Sequence, residues 1–157
     1  MINKIALKSI SAQILGFTLL LIGSTRLSIA YNSEIYKIIQ DGNLELINGE
    51  MLKSIMFSEI YVKLSVFILG IICLGYFNWR NKISIFNILI VSVGLWLLNF
   101  LEFFSSELLT GSLNTFFGLI TDDMFYSFFI SGFLIFISGM LILYMSITPR
   151  NEKEQGS

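Results

Sequence analysis

The chain has 157 residues, of which 55% are hydrophobic and 13% charged, and its formal net charge is −1. This balance and a mean hydropathy of +0.78 exclude an ordinary soluble domain, because a soluble core needs a charged shell. The length accommodates one domain, and the net charge gives no reason to expect a nucleic-acid partner. There is no histidine and only one cysteine, Cys73. We therefore predict no cofactor, no metal site and no catalytic residues.

Four apolar stretches are long enough to cross a bilayer. A transmembrane helix needs about 20 apolar residues, and the stretches cover residues 10–30, 60–77, 83–103 and 125–147. They are too long to be strands. The sequence therefore predicts an all-α integral membrane protein, with residues 1–157 forming a single transmembrane domain. The expected architecture is an antiparallel bundle of four transmembrane helices.

The connections between these stretches differ in length. Residues 78–82 form a short turn that forces the second and third helices into an antiparallel hairpin. Segments 31–59 and 104–124 are longer and carry apolar residues at helical spacing. We therefore expect short amphipathic helices in them, lying on the membrane surface or capping the bundle. The sequence Asp41-Gly42-Asn43 divides the first segment into two pieces.

The charged residues predict the orientation. Basic residues concentrate on the cytoplasmic side of membrane proteins. One side of the predicted bundle has two acidic residues, both in the tail 148–157, and six basic ones: Lys4, Lys8, Arg80, Lys82, Arg150 and Lys153. The other side has four basic and nine acidic residues. Both termini are therefore expected in the cytoplasm, with segments 31–59 and 104–124 outside. The size of the chain and its Ile-, Asn- and Lys-rich composition favour a bacterial inner membrane as the location.

A cleavable signal peptide is the alternative interpretation of the first stretch. Two lysines, an apolar run and the sequence Ser28-Ile29-Ala30 are typical of such a peptide. Arg26 lies between the apolar run and the possible cleavage site, which argues against cleavage. We therefore interpret residues 10–30 as a transmembrane helix.

Small residues recur at seven-residue spacing in the first and last stretches. Such rows allow helix backbones to approach closely in lipid. We expect the two helices to pack against each other through these rows, and the alternative is a docking face for a partner helix or a second copy of the chain. The residues are Ser9, Gly16 and Gly23 in the first helix and Ser131, Gly132, Ser138 and Gly139 in the last.

Five polar residues lie near the predicted outer ends of the helices: Arg26, Glu59, Lys63, Asn99 and Glu102. A charge at this depth is costly unless it is paired or reaches the interface. We therefore expect these residues to face one another around the outer mouth of the bundle. They would form either a structural ring of ion pairs or a site for a polar headgroup, a small ligand or a partner protein.

Other polar residues lie deeper in the apolar stretches. Gln13 and Asn87 are expected to form hydrogen bonds between helices. No acidic residue lies at mid-membrane, which argues against a proton- or cation-coupled carrier. Cys73 has apolar neighbours and no adjacent base, so its thiol is expected to be inert.

The layout resembles the DoxX-like family of small four-helix bacterial membrane proteins over residues 10–100. The similar elements are Gly23-Ser24-Thr25-Arg26 at the end of the first helix, Ser58-Glu59-Ile60 at the start of the second, and a short basic turn at Trp79-Arg80. The last helix departs from the family pattern, because it ends in Ile147-Thr148-Pro149-Arg150 without a glycine-rich stretch. The resemblance implies an accessory membrane subunit, in some members linked to quinone or sulfur redox chemistry.

The sequence thus favours a non-enzymatic membrane protein that serves as an accessory or interaction subunit of a membrane complex. The alternatives are an immunity-type protein, a membrane protein that binds lipid or a small ligand, and a DoxX-like redox accessory subunit. A membrane enzyme is the last alternative, because no catalytic set of side chains is visible.

Overall fold

The computed structural model describes residues 7–80, 86–100 and 107–147, and the structural statements below concern these residues. They form six α-helices and a short 3-10 turn at Leu44–Leu46, so the predicted all-α class is confirmed. The helices are α1 (Leu7–Tyr31), α2 (Ser33–Gln40), α3 (Gly49–Arg80), α4 (Phe86–Phe100), α5 (Glu107–Gly118) and α6 (Met124–Ile147).

Three of these helices are long and apolar enough to cross a membrane, which indicates a membrane protein. They are α1 from Lys8 onward, α3 and α6. Helix α4 is equally apolar in character, but its apolar part, Phe86–Leu98, is shorter than a full span. The predicted third span, 83–103, extends beyond both ends of the described part of α4, so its full length lies outside the described residues.

Helix α3 differs from its predicted form. The sequence predicts a span over 60–77 preceded by a separate short helix, whereas the structure has one continuous helix of 32 residues. The helix begins at Gly49, where the Asn48 side chain accepts a hydrogen bond from the Met51 amide at 2.9 Å. Beyond Gly49 no proline or glycine interrupts the chain before Gly70, so helical hydrogen bonding continues without a break. The chain turns before this, at Gly42, which has a φ of 75°.

Helix α1 lies at the centre and packs against α6, α3 and α4. Its contact with α6 is the most extensive in the described structure, and the two helices run antiparallel, since Arg26 contacts Ser131 and Ser9 contacts Ser146. We call the end where α1 ends and α3 begins the α2 end. The opposite end, where α1 begins, is called the Gln13 end.

Glycines allow the backbones of α1 and α6 to touch. A Cβ atom added at Gly139 would lie 2.7 Å from the carbonyl oxygen of Gly16, and one added at Gly132 would lie 2.9 Å from the amide nitrogen of Leu27. A Cβ atom at Gly23 would lie 2.7 Å from the amide nitrogen of Phe136. No side chain fits at these distances, so the two helices pack backbone to backbone.

The serines of the predicted rows lie in different surroundings. Ser131 is fully buried beside the α1–α6 contact. Ser9 donates a hydrogen bond to the carbonyl oxygen of Ser146 at 3.1 Å, which joins the same two helices at the Gln13 end. Ser138 is exposed and donates to the carbonyl oxygen of Leu134 in its own helix. It therefore lies outside the contact between α1 and α6.

Helices α3 and α4 pack on α1 through larger side chains. The ring of Phe17 is fully buried and lies directly against Gly70 of α3, and Ile14 lies against Gly94 of α4. Leu74 and Val91 extend this apolar core. Most of the surface of α3 stays apolar and uncovered, and only 6% of its most apolar window is buried. That exposure is what a lipid-facing helix requires.

A pair of buried amides joins α1 to α3 at the Gln13 end. The Gln13 Nε2 atom donates to Asn78 Oδ1 at 3.0 Å, and the Asn78 amide donates back at 3.5 Å. Both side chains are fully buried. Asn87 is also fully buried, but neither its Oδ1 nor its Nδ2 atom has a hydrogen-bond partner among residues 7–80, 86–100 and 107–147. Interhelical hydrogen bonding thus occurs at Gln13 and is absent at Asn87.

We predict that Gly139→Ala destabilises the protein, because the new methyl group would push α1 and α6 apart. The expected loss is about 1–3 kcal/mol in the free energy of unfolding, measured by thermal unfolding in a mild detergent. Gly111→Ala is the matched control, since a Cβ atom there would meet nothing within 4 Å. Equal stability of the two variants would contradict the backbone contact.

Candidate functional site

Arg26 is a buried cation near the α2 end of α1, with a relative exposure of 3%. Its Nε atom donates to the Ser131 hydroxyl of α6 at 2.5 Å, and its Nη1 atom donates to the Asn114 side-chain oxygen of α5 at 2.9 Å. The guanidinium carbon lies 4.4 Å from the ring centre of Phe128 and 5.9 Å from that of Phe117. Helices α5 and α6 thus enclose the side chain from two sides.

The partners of Arg26 leave part of its hydrogen-bonding capacity unused. A guanidinium carries five N–H donors, and its Nη2 atom is buried without a hydrogen-bond partner. The described partners are a hydroxyl, an amide oxygen and two aromatic rings, none of which carries a negative charge. Buried charges are normally paired. The site can therefore still accept an anionic oxygen.

Glu59 lies in a separate polar cluster that joins α2 to α3. The Tyr36 hydroxyl of α2 donates to Glu59 Oε1. Nearby, the Asn32 amide donates to the Ser58 hydroxyl at 2.6 Å, while the Ser54 hydroxyl donates to Asn32 Oδ1 at 2.8 Å. These bonds hold the short helix α2 against the beginning of α3. We call this set the α2 cluster.

Lys63 lies at a third location, a groove between α1, α3 and α4 that we call the Lys63 groove. The groove has a volume of about 550 Å³. Its walls are mostly apolar and include Leu21, Phe67 and Trp96. Thr25 adds a hydroxyl group to the described lining. Lys63 is its one charged residue among those described. A second groove of about 420 Å³, between α3 and α6, includes Cys73, and none of its described lining residues is charged.

No described contact brings Arg26, Glu59 and Lys63 together as the sequence predicts. The three residues have different neighbours: Arg26 points toward α5 and α6, Glu59 contacts α2, and Lys63 lines the groove on the α3–α4 side. Depth can be counted along the sequence, whereas direction depends on how each helix is rotated. The side chain of Asn99 and the whole of Glu102 lie outside the described residues.

Sequence reasoning did not identify Asn114 and Phe128 as neighbours of Arg26. Asn114 lies on the exposed helix α5, and nothing in its sequence context distinguishes it from other polar loop residues. Phe128 is one of 15 phenylalanines in the chain. The sequence does contain a signal for the third neighbour, Ser131. This residue directly precedes Gly132, so its hydroxyl lies beside the glycine row of the last helix.

The described residues provide no metal site. In residues 7–80, 86–100 and 107–147 no three His, Cys, Asp or Glu side chains lie close enough together to hold a metal ion. Cys73 is exposed on the apolar surface of α3.

Comparison with known proteins yields no relative: no protein-family model, curated protein or solved structure matches the chain.

We predict that Tyr36→Phe loosens α2, because it removes the hydrogen bond to Glu59. Burial, together with the Glu59 carboxylate, raises the pKa of the Tyr36 hydroxyl above its ordinary value of 10.0. The folded protein thus holds this proton more tightly than the unfolded chain does. The stabilisation is complete below about pH 10 and is lost as the pH rises further.

At neutral pH, Tyr36→Phe should lower the free energy of local unfolding of α2 by about 1–2 kcal/mol. The measurement is amide hydrogen exchange, which should become faster in α2. The control is Tyr31→Phe, because Tyr31 is 80% exposed. The same exchange rate in the Tyr36 variant as in the parent protein would refute the role of this bond.

Proposed function

We propose that the chain is a four-span, non-enzymatic membrane protein that binds an amphiphile with an anionic headgroup in the Lys63 groove. The observation that carries this proposal is the combination of one cation with apolar walls in a groove of about 550 Å³. Ligand sites of about 300–1,000 Å³ with mostly apolar walls and a few polar groups are the usual form of small-molecule sites.

The lengths of the helices support a membrane setting for this groove. Helix α3 has 32 residues, which corresponds to about 48 Å at 1.5 Å per residue, whereas the hydrocarbon core is about 30 Å thick. If Arg80, in the basic turn, marks the inner boundary, the hydrocarbon extends back over about 20 residues at 1.5 Å per residue, and the first turns of α3 project beyond it together with α2. In this arrangement Lys63 lies near the boundary between headgroups and acyl chains.

The chemistry of the groove fits an amphiphile better than a purely apolar ligand. The Lys63 ammonium can pair with a phosphate or carboxylate, while Leu21, Leu64 and Phe67 offer apolar contact for an acyl chain. The groove at Cys73 is a useful contrast, because apolar walls without a charge can hold lipid tails but cannot select a headgroup. The proposed selectivity therefore depends on Lys63.

An accessory subunit of a membrane complex is the second candidate. It is favoured by the large uncovered apolar surface of α3, which a partner helix or a second copy of the chain could cover instead of lipid. The glycine rows favour it less, since Gly16, Gly23, Gly132 and Gly139 already pack within the chain. Immunity-type activity and the DoxX-like redox role stay predictions from the sequence.

We predict that α3 crosses the membrane with its N-terminal end outside, as the charge asymmetry indicates. In a Cys73→Ser background, Asn43→Cys should react with a membrane-impermeant maleimide in intact cells. Arg80→Cys should react only after the cells are permeabilised. Labelling of both positions from the same side would refute a crossing by α3, and the reversed pattern would refute the orientation.

We predict that Lys63 gives the groove its preference for anionic lipid. Trp79→Phe leaves Trp96, in the groove wall, as the sole tryptophan. Its fluorescence should be quenched more by phosphatidylglycerol with brominated chains than by brominated phosphatidylcholine. The expected preference is about fivefold, since one lysine near an anionic lipid contributes about 1 kcal/mol.

Lys63→Gln should reduce this preference to about one. Lys53→Gln is the matched control, because Lys53 is an exposed lysine of the same helix outside the groove, and it should retain the preference. The proposal fails if the parent protein shows no preference or if both variants behave alike. Co-purification of a stoichiometric protein after mild extraction would instead support the accessory-subunit candidate.

A further inference from the structure

Arg26 is a cation that is nearly inaccessible to solvent and incompletely satisfied. It is 3% exposed, so it does not extend to an aqueous interface as arginines near helix ends commonly do. Its Nη2 atom is buried without an acceptor. Removing an ion from water has a large free-energy cost, which neutral partners offset only in part. A bound anion would therefore stabilise the buried guanidinium, because it would supply both a negative charge and a hydrogen-bond acceptor.

We infer that Arg26 is the centre of an anion-binding site beneath α5, taking the phosphate or carboxylate group of a lipid headgroup or a free oxyanion. The two terminal nitrogens of a guanidinium can donate parallel hydrogen bonds to two oxygens of one such group. Within the described part of the chain, Nη2 has no hydrogen-bond partner and Asn114 is the partner of Nη1. An anion that replaces the Asn114 oxygen would engage both nitrogens.

Helix α5 is the element that such an anion would have to displace. It contributes Asn114 and Phe117 to the surroundings of Arg26, and its main described contact is with α6. Asn114 is itself exposed, so the Nη1 bond lies at the edge of the site. The Nε bond to Ser131 lies deeper and belongs to the rigid contact between α1 and α6. A shift of α5 alone would therefore open the site.

This site is distinct from the Lys63 groove. Thr25 lines the groove, while the adjacent Arg26 points toward α5 and α6. Successive residues of an α-helix point about 100° apart, so α1 presents the two residues to different neighbours. The two sites can therefore be tested independently by variants of Lys63 and Arg26.

The test uses the full chain, purified in a neutral detergent, and measures its Tm. Sodium phosphate is compared with sodium chloride at equal ionic strength, and phosphatidylglycerol is compared with phosphatidylcholine. At an anion concentration ten times its Kd, the ratio of folded to unfolded protein rises about elevenfold. That change corresponds to a rise of about 3–6 °C in Tm for a chain of this size. A response to phosphate identifies a free oxyanion as sufficient, and a response to phosphatidylglycerol alone identifies the lipid headgroup.

Matched substitutions at the exposed Asn114 separate anion binding from folding. Asn114→Asp places a carboxylate on Arg26, so it should abolish the Tm response to added anion while the far-UV circular dichroism stays unchanged. Asn114→Ala removes the competing acceptor and should retain or strengthen the response. Arg26→Gln should abolish it, and Lys63→Gln should leave it intact. If Arg26→Gln does not fold, the pair at Asn114 still decides the question.

The inference is overturned if neither anion raises the Tm of the parent protein. It is overturned equally if Asn114→Asp responds as strongly as Asn114→Ala. Loss of the Tm response in Lys63→Gln would show that the anion binds in the Lys63 groove, and it would likewise refute a site at Arg26. In the phosphatidylglycerol arm the Asn114 and Arg26 variants are built on Lys63→Gln, so that lipid bound in the Lys63 groove does not contribute to the change in Tm.

Discussion

The backbone contact between α1 and α6 is the constraint on which the rest of the structure depends. In lipid the hydrophobic effect does not drive helices together, so close approach and dispersion have to do so. Gly16 and Gly139 meet at one level of the contact, and Gly23 and Gly132 meet at another. With two points of contact along the helices, the relative rotation of α1 and α6 is fixed as well as their separation.

That rotation positions the buried arginine. Arg26 lies three residues after Gly23, and Ser131 lies next to Gly132, so the glycine contact brings the guanidinium and the hydroxyl within hydrogen-bonding distance. A longer separation between the helices would leave Arg26 without its deepest partner. The same contact that stabilises the fold therefore also sets the geometry of the site beneath α5.

The opposite face of α1 is packed in a different way. There, α3 and α4 contact α1 through side chains such as Phe17 rather than through backbone, and α3 stays largely uncovered. Packing by large side chains leaves gaps between helices, and the Lys63 groove is one of them. The buried pair Gln13–Asn78 then ties α3 to α1 at the far end. The molecule thus combines a tight helix pair with a looser side whose apolar surface stays largely uncovered.

The sequence by itself determined the all-α class, the apolar helices and the glycine rows, because these follow from hydrophobic run length and residue spacing along one helix. It also identified Arg26, Glu59 and Lys63 as polar residues at a common depth. Only the tertiary structure decided which way each of them points. Helix rotation depends on contacts between residues far apart in the chain, such as Arg26 with Asn114, and no local pattern encodes it. The continuity of α3, by contrast, is encoded locally, because no proline or glycine lies between Gly49 and Gly70, although the length of the apolar run alone does not reveal it.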